Sequence, residues 1–324
     1  MIKKDKKIKL KTSLFLLFVA AILLISSSYA WFTSNQTVTV SSLNVNVQAK
    51  NGLQISTDGT TWKSIIQNAD ITGVHATTYP TSVNQIPAVL EPVSTIGNVT
   101  TGKLDMFYGT VGTDKDGDYT LSATQDADTE GATGRYIAFD LFFKVQQDTP
   151  VYISTNSGVV VKDGEASKGL ENAARMAFIN EGNIADGSLI SAIQALNDGA
   201  TSNIWELNYD THTAAAVSNA YNTYGITTTT TGGSVLPYYG IKAVIPASAD
   251  AKLKTATDKT YFSTVTPWLS TASGFSKNQA YMTLNAGITK VRVYMWVEGQ
   301  DVDCENNASG ADITYNLQVT SLAS

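Results

Sequence analysis

Hydrophobic and polar residues alternate along most of the chain, which is the period of half-buried β-strands. The clearest example is the segment QTVTVSSLNVNVQ. Its apolar residues change parity at Ser41 and Ser42, so that Val38 and Val40 lie on one face and Leu43 begins the other. The extra step predicts a β-bulge or a bend where the strand passes from one partner strand to another.

Further segments predict strands, and Gly, Asp and Asn residues typical of turns separate them. Residues 135–147 and 290–298 also contain unbroken apolar stretches, so we expect them to be central strands covered on both faces. The pattern favours a mainly β protein, an antiparallel jelly-roll-like β-sandwich. The further segments are LQIST, YTLSA, RYIAFDLFFKVQQ, VYIST, IKAVI, AYMTL, KVRVYMWVEG and ITYNLQVTS.

Two segments show helical spacing instead. Apolar residues recur at this spacing from Leu170 to Phe178 in EASKGLENAARMAFI, and from Leu189 to Leu196 in SLISAIQALN. We expect both to form helices in one small insertion, at about residues 165–200, that covers an end of the sandwich. The insertion is too small to be a separate domain.

The first 30 residues have the three successive parts of a secretory signal helix: a basic region, an apolar region and small residues before the cleavage site. MIKKDKKIKLKT carries six lysines and one acid, and the apolar run that follows it ends in small residues. Cleavage is therefore expected between Ala30 and Trp31. The alternative is a retained membrane anchor, but the strongly apolar part, residues 13–25, is short against the ~20 residues of a spanning helix.

The expected cut divides the chain into three parts. Residues 1–30 are the signal peptide, residues 31–48 are an N-terminal strand segment, and residues 49–324 form a single β-sandwich domain with the helical insertion. Without the signal, 16 basic and 27 acidic residues remain of the 22 and 28 in the whole chain, a net charge of −11. Such an acidic surface argues against nucleic acid and anionic lipid as partners.

Cys304 is the only cysteine, so an intramolecular disulfide is impossible. We expect a buried, unreactive thiol. The alternative is a disulfide between two chains.

Catalytic motifs are missing from the sequence. His75 and His212 are the only histidines, and neither belongs to an H-E-x-x-H zinc motif. A G-x-S-x-G nucleophile elbow and the phosphate-binding G-x-x-x-x-G-K-[ST] signature are also absent. We therefore expect a protein that is not an enzyme and needs no cofactor, with calcium as the one ion that its acidic runs could bind.

Two acidic runs are candidates for calcium. Asp114, Asp116 and Asp118 in DKDGDYT resemble the first half of a calcium loop, although the Gly and Glu that such a loop needs later are replaced by Tyr119 and Gln125. The alternative is a solvated Asp-Gly turn.

The second run lies in EGQDVDCENN. An extended chain would present Asp301, Asp303 and Glu305 on one face, where the three carboxylates would repel one another without a counter-ion. The run is therefore either the site of a bound cation or an acidic loop whose carboxylates spread apart from one another.

The junction YAWFTSN, the alternating strand after it, and the segments YIAFDLFFKV and WVEGQDVDCENN resemble the exported TasA/camelysin-type proteins of Gram-positive bacteria. The resemblance covers both ends of the mature chain and one central strand, and it leaves residues 163–260 unmatched. It implies a jelly roll, processing by a signal peptidase, and a secreted protein that assembles into biofilm-matrix fibres by placing its freed N-terminal segment in the next subunit's sheet.

The leading hypothesis is accordingly a structural subunit that polymerises with itself by strand donation. Trp31, Phe32, Val38 and Val40 would anchor the donated strand, since burial of such side chains is worth several kcal/mol at ~25 cal/mol per Å². The membrane would be a partner only through the uncleaved signal, and the expected location is the cell surface or the biofilm matrix.

The alternative from another class is a monomeric or wall-associated adhesin, or a carbohydrate-binding module. Trp62, Trp205 and Trp268 each lie in a polar context and could form a platform for a sugar. Core packing is the other explanation for these tryptophans.

Overall fold

The computed structural model describes residues 37–48, 52–74, 77–154, 156–162, 167, 169–209, 211–227, 235–249, 251, 260–267, 280–304 and 310–321. These residues form a mainly β protein, as the alternating pattern predicts. Its strands are β1 (Val38–Gln48), β2 (Gln54–Ser56), β3 (Ile65–Gln67), β4 (Val89–Leu90), β5 (Val99–Thr100), β6 (Lys103–Leu104), β7 (Met106–Thr113), β8 (Tyr119–Asp126), β9 (Ile137–Val145), β10 (Thr149–Ile153), β11 (Gly158–Val161), β12 (Ala174–Ile184), β13 (Ser202–Glu206), β14 (Tyr238–Ile241), β15 (Phe262–Val265), β16 (Met282–Leu284), β17 (Gly287–Val297) and β18 (Ala311–Thr320).

The first sheet is mixed rather than antiparallel. Its strand order is β16-β10-β18-β1-β3, with β11 also paired to β18 and β4 also paired to β1. β1 and β18 run parallel, while the other pairs are antiparallel. The prediction of an antiparallel sandwich is therefore wrong for this sheet, because β1 and β18, the first and last strands along the chain, lie side by side in the same direction.

The second sheet is antiparallel, with the order β13-β12-β17-β9-β2. Every residue of β17 is buried, and so is every residue of β9 except Lys144. This confirms that residues 135–147 and 290–298 contain central strands covered on both faces.

The two faces of the second sheet pack against different layers. One face, with Phe139 and Val293, shares a hydrophobic core with the first sheet. The opposite face, with Tyr294 and Trp296, packs against residues such as Met106 at the start of β7 and forms a second core. The two-stranded sheets β5–β6, β7–β8 and β14–β15 contribute to the covering of this outer face.

Helices are short in the described residues: α1 (Asn68–Thr72), α2 (Ile190–Gln194), α3 (Ala214–Asn219), a π-helical turn at Ala220–Tyr224, and 3₁₀ turns at Leu170–Ala173 and Ala247–Ala249. None of the described helices is long and apolar enough to span a membrane. The expected signal helix, residues 1–30, lies outside the described part.

The helical insertion predicted at about residues 165–200 is wrong in its first half. Among the described residues of that half, only Leu170–Ala173 form a helical turn, and the chain then continues as strand β12 between β13 and β17. Because β12 is buried on both faces from Ala174 to Ile179, it is apolar at nearly every position, and such a run contains helical spacing by chance. The second half is confirmed as the short helix α2.

One predicted strand, IKAVI, is wrong beyond its first residue. β14 ends at Ile241, and Ile245 forms an isolated bridge with Ala123 of β8 instead. The other predicted strands are found, with bounds shifted by a few residues.

Candidate functional site

The N-terminal strand β1 lies in a groove between β18 on one side and β4 and β3 on the other. It pairs in parallel with β18 along its whole length, from Val38 beside Ala311 to Gln48 beside Thr320. The Gly310 N–H donates to the Thr37 carbonyl at 2.9 Å, which fixes the start of the pair. The described part of the candidate donor strand is thus paired within its own chain.

The predicted irregularity at Ser41 is confirmed. The register of β1 against β18 shifts between Val40 and Ser42. On its other side, β1 pairs with β4 before this shift and with β3 after it. The bulge therefore separates a short N-terminal section from a longer section of β1.

The side chains of the N-terminal section explain how it is held. Val38 is fully buried in the core between the two sheets, and Val40 packs against that core while partly buried. Thr39, between them, is exposed. The other proposed anchors, Trp31 and Phe32, and the expected cut after Ala30 lie outside the described residues.

The acidic run before β18 has counter-ions from the protein itself. Asp301 forms a buried ion pair with Arg175 of β12. Asp303 accepts hydrogen bonds from the N–H and the hydroxyl of Thr213, and one of its oxygens lies 2.7 Å from His212 Nδ1. Glu305 lies outside the described residues. Asp301 and Asp303 are therefore partners of protein cations, and we assign no metal site to them.

These contacts belong to a larger buried group, which we call the acid-rich cluster. Glu206 of β13 lies 2.6 Å from Arg175 Nη2 and 3.6 Å from His212 Nε2. Glu298, at the end of β17, accepts a hydrogen bond from Trp296 Nε1. The cluster comprises Arg175, Glu206, His212, Glu298, Asp301 and Asp303, and all six side chains are buried.

The net pKa shifts of Glu206, His212, Glu298 and Asp301 all have the same direction. Burial raises the pKa of both Glu206 and Glu298 to about 7, and it also raises the pKa of Asp301, in spite of the nearby Arg175. Burial alone would lower the pKa of His212, but the hydrogen bond with Asp303 and the charge of Glu206 outweigh it and raise the pKa. The cluster therefore holds protons more tightly than free side chains do.

A second buried group, the balanced cluster, lies on the same outer face of the second sheet. It comprises Asp140, Glu181, Lys290 and Arg292. Asp140 lies 2.9 Å from Arg292 Nε and 3.3 Å from Lys290 Nζ, while Glu181 lies 3.6 Å from Arg292 Nη1. Two acids thus face two bases.

The sequence did not lead us to the balanced cluster or to Arg175, Glu206 and Glu298. A signal was present, because Asp140 and Arg292 interrupt otherwise apolar strands. A charged residue inside a strand covered on both faces needs a buried partner. The identity of that partner depends on which strands are neighbours.

The other calcium candidate forms an ordinary turn in the structure. Asp114 Oδ1 accepts the N–H groups of Asp116 and Asp118, and Lys115 pairs with Asp116 at the surface. Within the described residues, no group of three His, Cys, Asp or Glu side chains is arranged to hold a metal ion.

The tryptophans of the adhesin alternative do not come together in the described part of the chain. Trp205 is buried in the core between the sheets, whereas Trp62 is partly buried against a separate apolar group with Lys144 4.6 Å from its ring. Trp268 lies outside the described residues, as does His75. Cys304 is buried as expected, and burial raises the pKa of its thiol well above the ordinary value.

Comparisons with known proteins give no further constraint. No protein-family model, no curated protein and no solved structure matches the chain.

Proposed function

We propose that this protein is a secreted structural subunit of an extracellular surface or biofilm-matrix fibre. Each subunit would donate its mature N-terminal strand to the next one. The proposal includes a jelly-roll-like sandwich and a signal helix removed at Ala30 by a signal peptidase. The observation that carries it is the place of β1, which fills a groove between β18 and the short strands β3 and β4.

The groove suits an exchanged strand. β1 supplies four fully or almost fully buried side chains to the core between the sheets: Val38, Leu43, Val45 and Val47. If β1 leaves, the edge of β18 and a row of apolar pockets become free, and a strand of the same sequence from another copy fits both. Main-chain hydrogen bonds then give affinity, and alternate side chains fix the register.

The charge of the strand also supports exchange. Residues 31–48 contain no charged side chain, although the chain as a whole carries a net charge of −6. A neutral strand can approach an acidic neighbour without like-charge repulsion and can enter an apolar groove without burying a charge. The resemblance to TasA/camelysin-type proteins points to the same assembly.

The geometry of exchange leads to fibres. Donor and groove occupy different surfaces once β1 has swung out, so the contact is head-to-tail and need not close. Because β1 pairs with its own chain in the isolated molecule, exchange requires an opening step. The short section before the bulge, from Val38 to Val40, pairs with two residues of β4 and three of β18, fewer than the section after the bulge, and is the natural place to begin.

The direct test is deletion of residues 31–40 from the mature protein. We expect the chain to fold, because the section of β1 after the bulge remains. We expect no fibres in electron micrographs, because the first part of the donor strand is missing. The matched control is Thr39→Ser, an exposed position between the two buried valines, which should leave fibre length unchanged. Fibres of normal length from the deletion variant would contradict the proposal.

A further inference from the structure

The acid-rich cluster sits where the chain passes from the second sheet to the first. The segment 298–304 leaves the end of β17, carries three of the cluster's four carboxyl groups, and leads toward Gly310 and β18. Asp301 ties this segment to β12, and Asp303 ties it to the residues just before α3.

Two hydrogen bonds of β18 lie near this region, one at the start of the β1–β18 pair and one in the middle of β18. Gly310, directly before β18, donates to the Thr37 carbonyl at the start of β1. Tyr315 of β18 donates its hydroxyl hydrogen to the carbonyl of Trp296, two residues before Glu298, at 3.2 Å. Cys304, at the end of the segment 298–304, is fully buried in the hydrophobic core that also contains Tyr315 and the buried side chains of β1. A shift of this segment would therefore act on the packing beneath the strand pair that the proposed function uses.

The charges of the cluster do not balance. Glu206, Asp301 and Asp303 pair with Arg175 and His212, while Glu298 accepts hydrogen bonds from Trp296 Nε1 and the Gln300 N–H. Glu206 Oε1 lies 2.6 Å from Arg175 Nη2 and 3.6 Å from His212 Nε2. With four carboxyl groups and two bases, the cluster buries an excess of negative charge unless some of its carboxyl groups keep their protons. The ionisable side chains that face His212 or its partners are Arg175 on β12, Glu206 on β13, Tyr224 after α3, Tyr238 on β14, and Glu298, Asp301, Asp303 and Cys304 on the segment 298–304.

We propose that the acid-rich cluster is a pH-sensitive catch, which holds the segment 298–304 and the β1–β18 pair most firmly at acidic pH and loosens them progressively as the pH rises through neutrality. A second step, in which this loosening frees β1 for exchange, rests on the proposed function. The catch itself does not.

The sign of the effect follows from the direction of each shift. Glu206 and Glu298 have pKa values of about 7 in the folded chain and 4.5 when unfolded, so their contribution to stability falls as the pH rises from 4.5 to 7. The pKa of His212 is raised from 6.5, so its contribution is complete below 6.5 and is lost as the pH rises through the folded value. All three groups act in the same direction.

Hydrogen exchange of the wild-type mature protein tests the catch without any variant. Protection factors, which correct for the intrinsic effect of pH, should fall about tenfold or more for amides of β1 and β18 between about pH 5.5 and about pH 8. Amides of β9, beside the balanced cluster, should lose less. Equal protection of β1 and β18 at both pH values would overturn the proposal.

A pair of variants assigns the effect to the cluster. Glu298→Gln removes one proton-binding group and keeps an oxygen that can accept from Trp296, so the loss of protection on raising the pH should shrink severalfold. Asp116→Asn removes one carboxylate at an exposed turn, where its side chain is 66% accessible, and should leave the loss unchanged. An identical pH response in Glu298→Gln and wild type would place the effect elsewhere.

Electron microscopy at the same pH values separates this inference from the proposed function. Faster fibre growth at the higher pH, together with loss of protection, supports both. Loss of protection without fibres at any pH would keep the catch and contradict strand donation. Fibres that grow at one rate, with pH-independent protection, would keep strand donation and contradict the catch.

Discussion

The acid-rich and balanced clusters occupy the same face of the same sheet, yet they solve the burial of charge differently. In the balanced cluster Asp140 and Glu181 face Lys290 and Arg292, so each charge has an opposite one. In the acid-rich cluster Glu206, Asp301 and Asp303 share one arginine and one histidine, and the fourth carboxyl group, Glu298, accepts from Trp296 Nε1 and the Gln300 N–H. The difference teaches that the number of bases in a buried network decides in which direction the pKa of its aspartates is shifted, although burial raises the pKa of Glu181 in the balanced cluster as well.

The acidity of the aspartates reflects this difference. Burial alone would raise the pKa of Asp140, but Arg292 and Lys290 outweigh it and lower the pKa. The pKa of Asp301 is instead raised, because burial outweighs Arg175. The contribution of Asp140 to stability is therefore present above its ordinary pKa range and is lost only in acid. The contribution of the acid-rich cluster is instead lost as the pH rises.

The largest expected effect comes from Arg175→Met, which leaves the carboxyl groups of the acid-rich cluster with only His212 as a base. We expect a loss of about 3–5 kcal/mol in the free energy of unfolding at pH 7, measured with urea. The loss should be smaller at pH 5, where the carboxyl groups keep their protons. Lys115→Met is the control, since Lys115 pairs with Asp116 at the surface and its loss should cost less than about 1 kcal/mol. Equal losses at both pH values would break the comparison.

Asp140→Asn tests the balanced cluster. It leaves Lys290 and Arg292 with only Glu181 as an acid, and we expect a loss of about 3 kcal/mol. Because Asp140 is ionised throughout this range, the loss should be the same at pH 5.5 and pH 8 in urea titrations. A loss that appears only at the higher pH would show that both clusters respond to pH.

Glu298→Gln should stabilise the protein under alkaline conditions. Raising the pKa of a carboxyl group from 4.5 to about 7 costs the ionised form about 3 kcal/mol, and the amide has no such cost. We expect a gain of about 1–2 kcal/mol at pH 8 and none at pH 4.5, because the amide has only one oxygen for the two donors, Trp296 Nε1 and the Gln300 N–H. Loss of stability at pH 8 would contradict a proton-binding role for Glu298.

The smallest effect is expected at the exposed turn. Asp116→Asn removes a surface pair with Lys115 and should change the free energy of unfolding by less than about 0.5 kcal/mol at any pH. A larger change would contradict this expectation. A rise in thermal stability on adding calcium, abolished by this variant, would indicate a calcium site at Asp114, Asp116 and Asp118.

The sequence predicts local features of this fold well. The alternation and its break at Ser41 give β1 and its bulge, and the apolar runs give the central strands β9 and β17. The periodicity of apolar residues misleads at β12. This strand is buried on both faces, and its nearly continuous apolar residues also match the spacing of a helix. Periodicity also cannot pair Arg175 with Asp301, which are 126 positions apart, because the contact exists only after β12 and the segment 298–304 have met around the second sheet.

The most direct test of the contrast between the clusters is an NMR titration of the histidine rings. The chain has two histidines, so His75→Gln assigns both signals. We predict that the ring of His212 titrates clearly above its ordinary value of 6.5, as a buried cation between Asp303 and Glu206. A His212 that titrates at or below 6.5 would show that the acid-rich cluster does not hold a proton there, and would contradict the account.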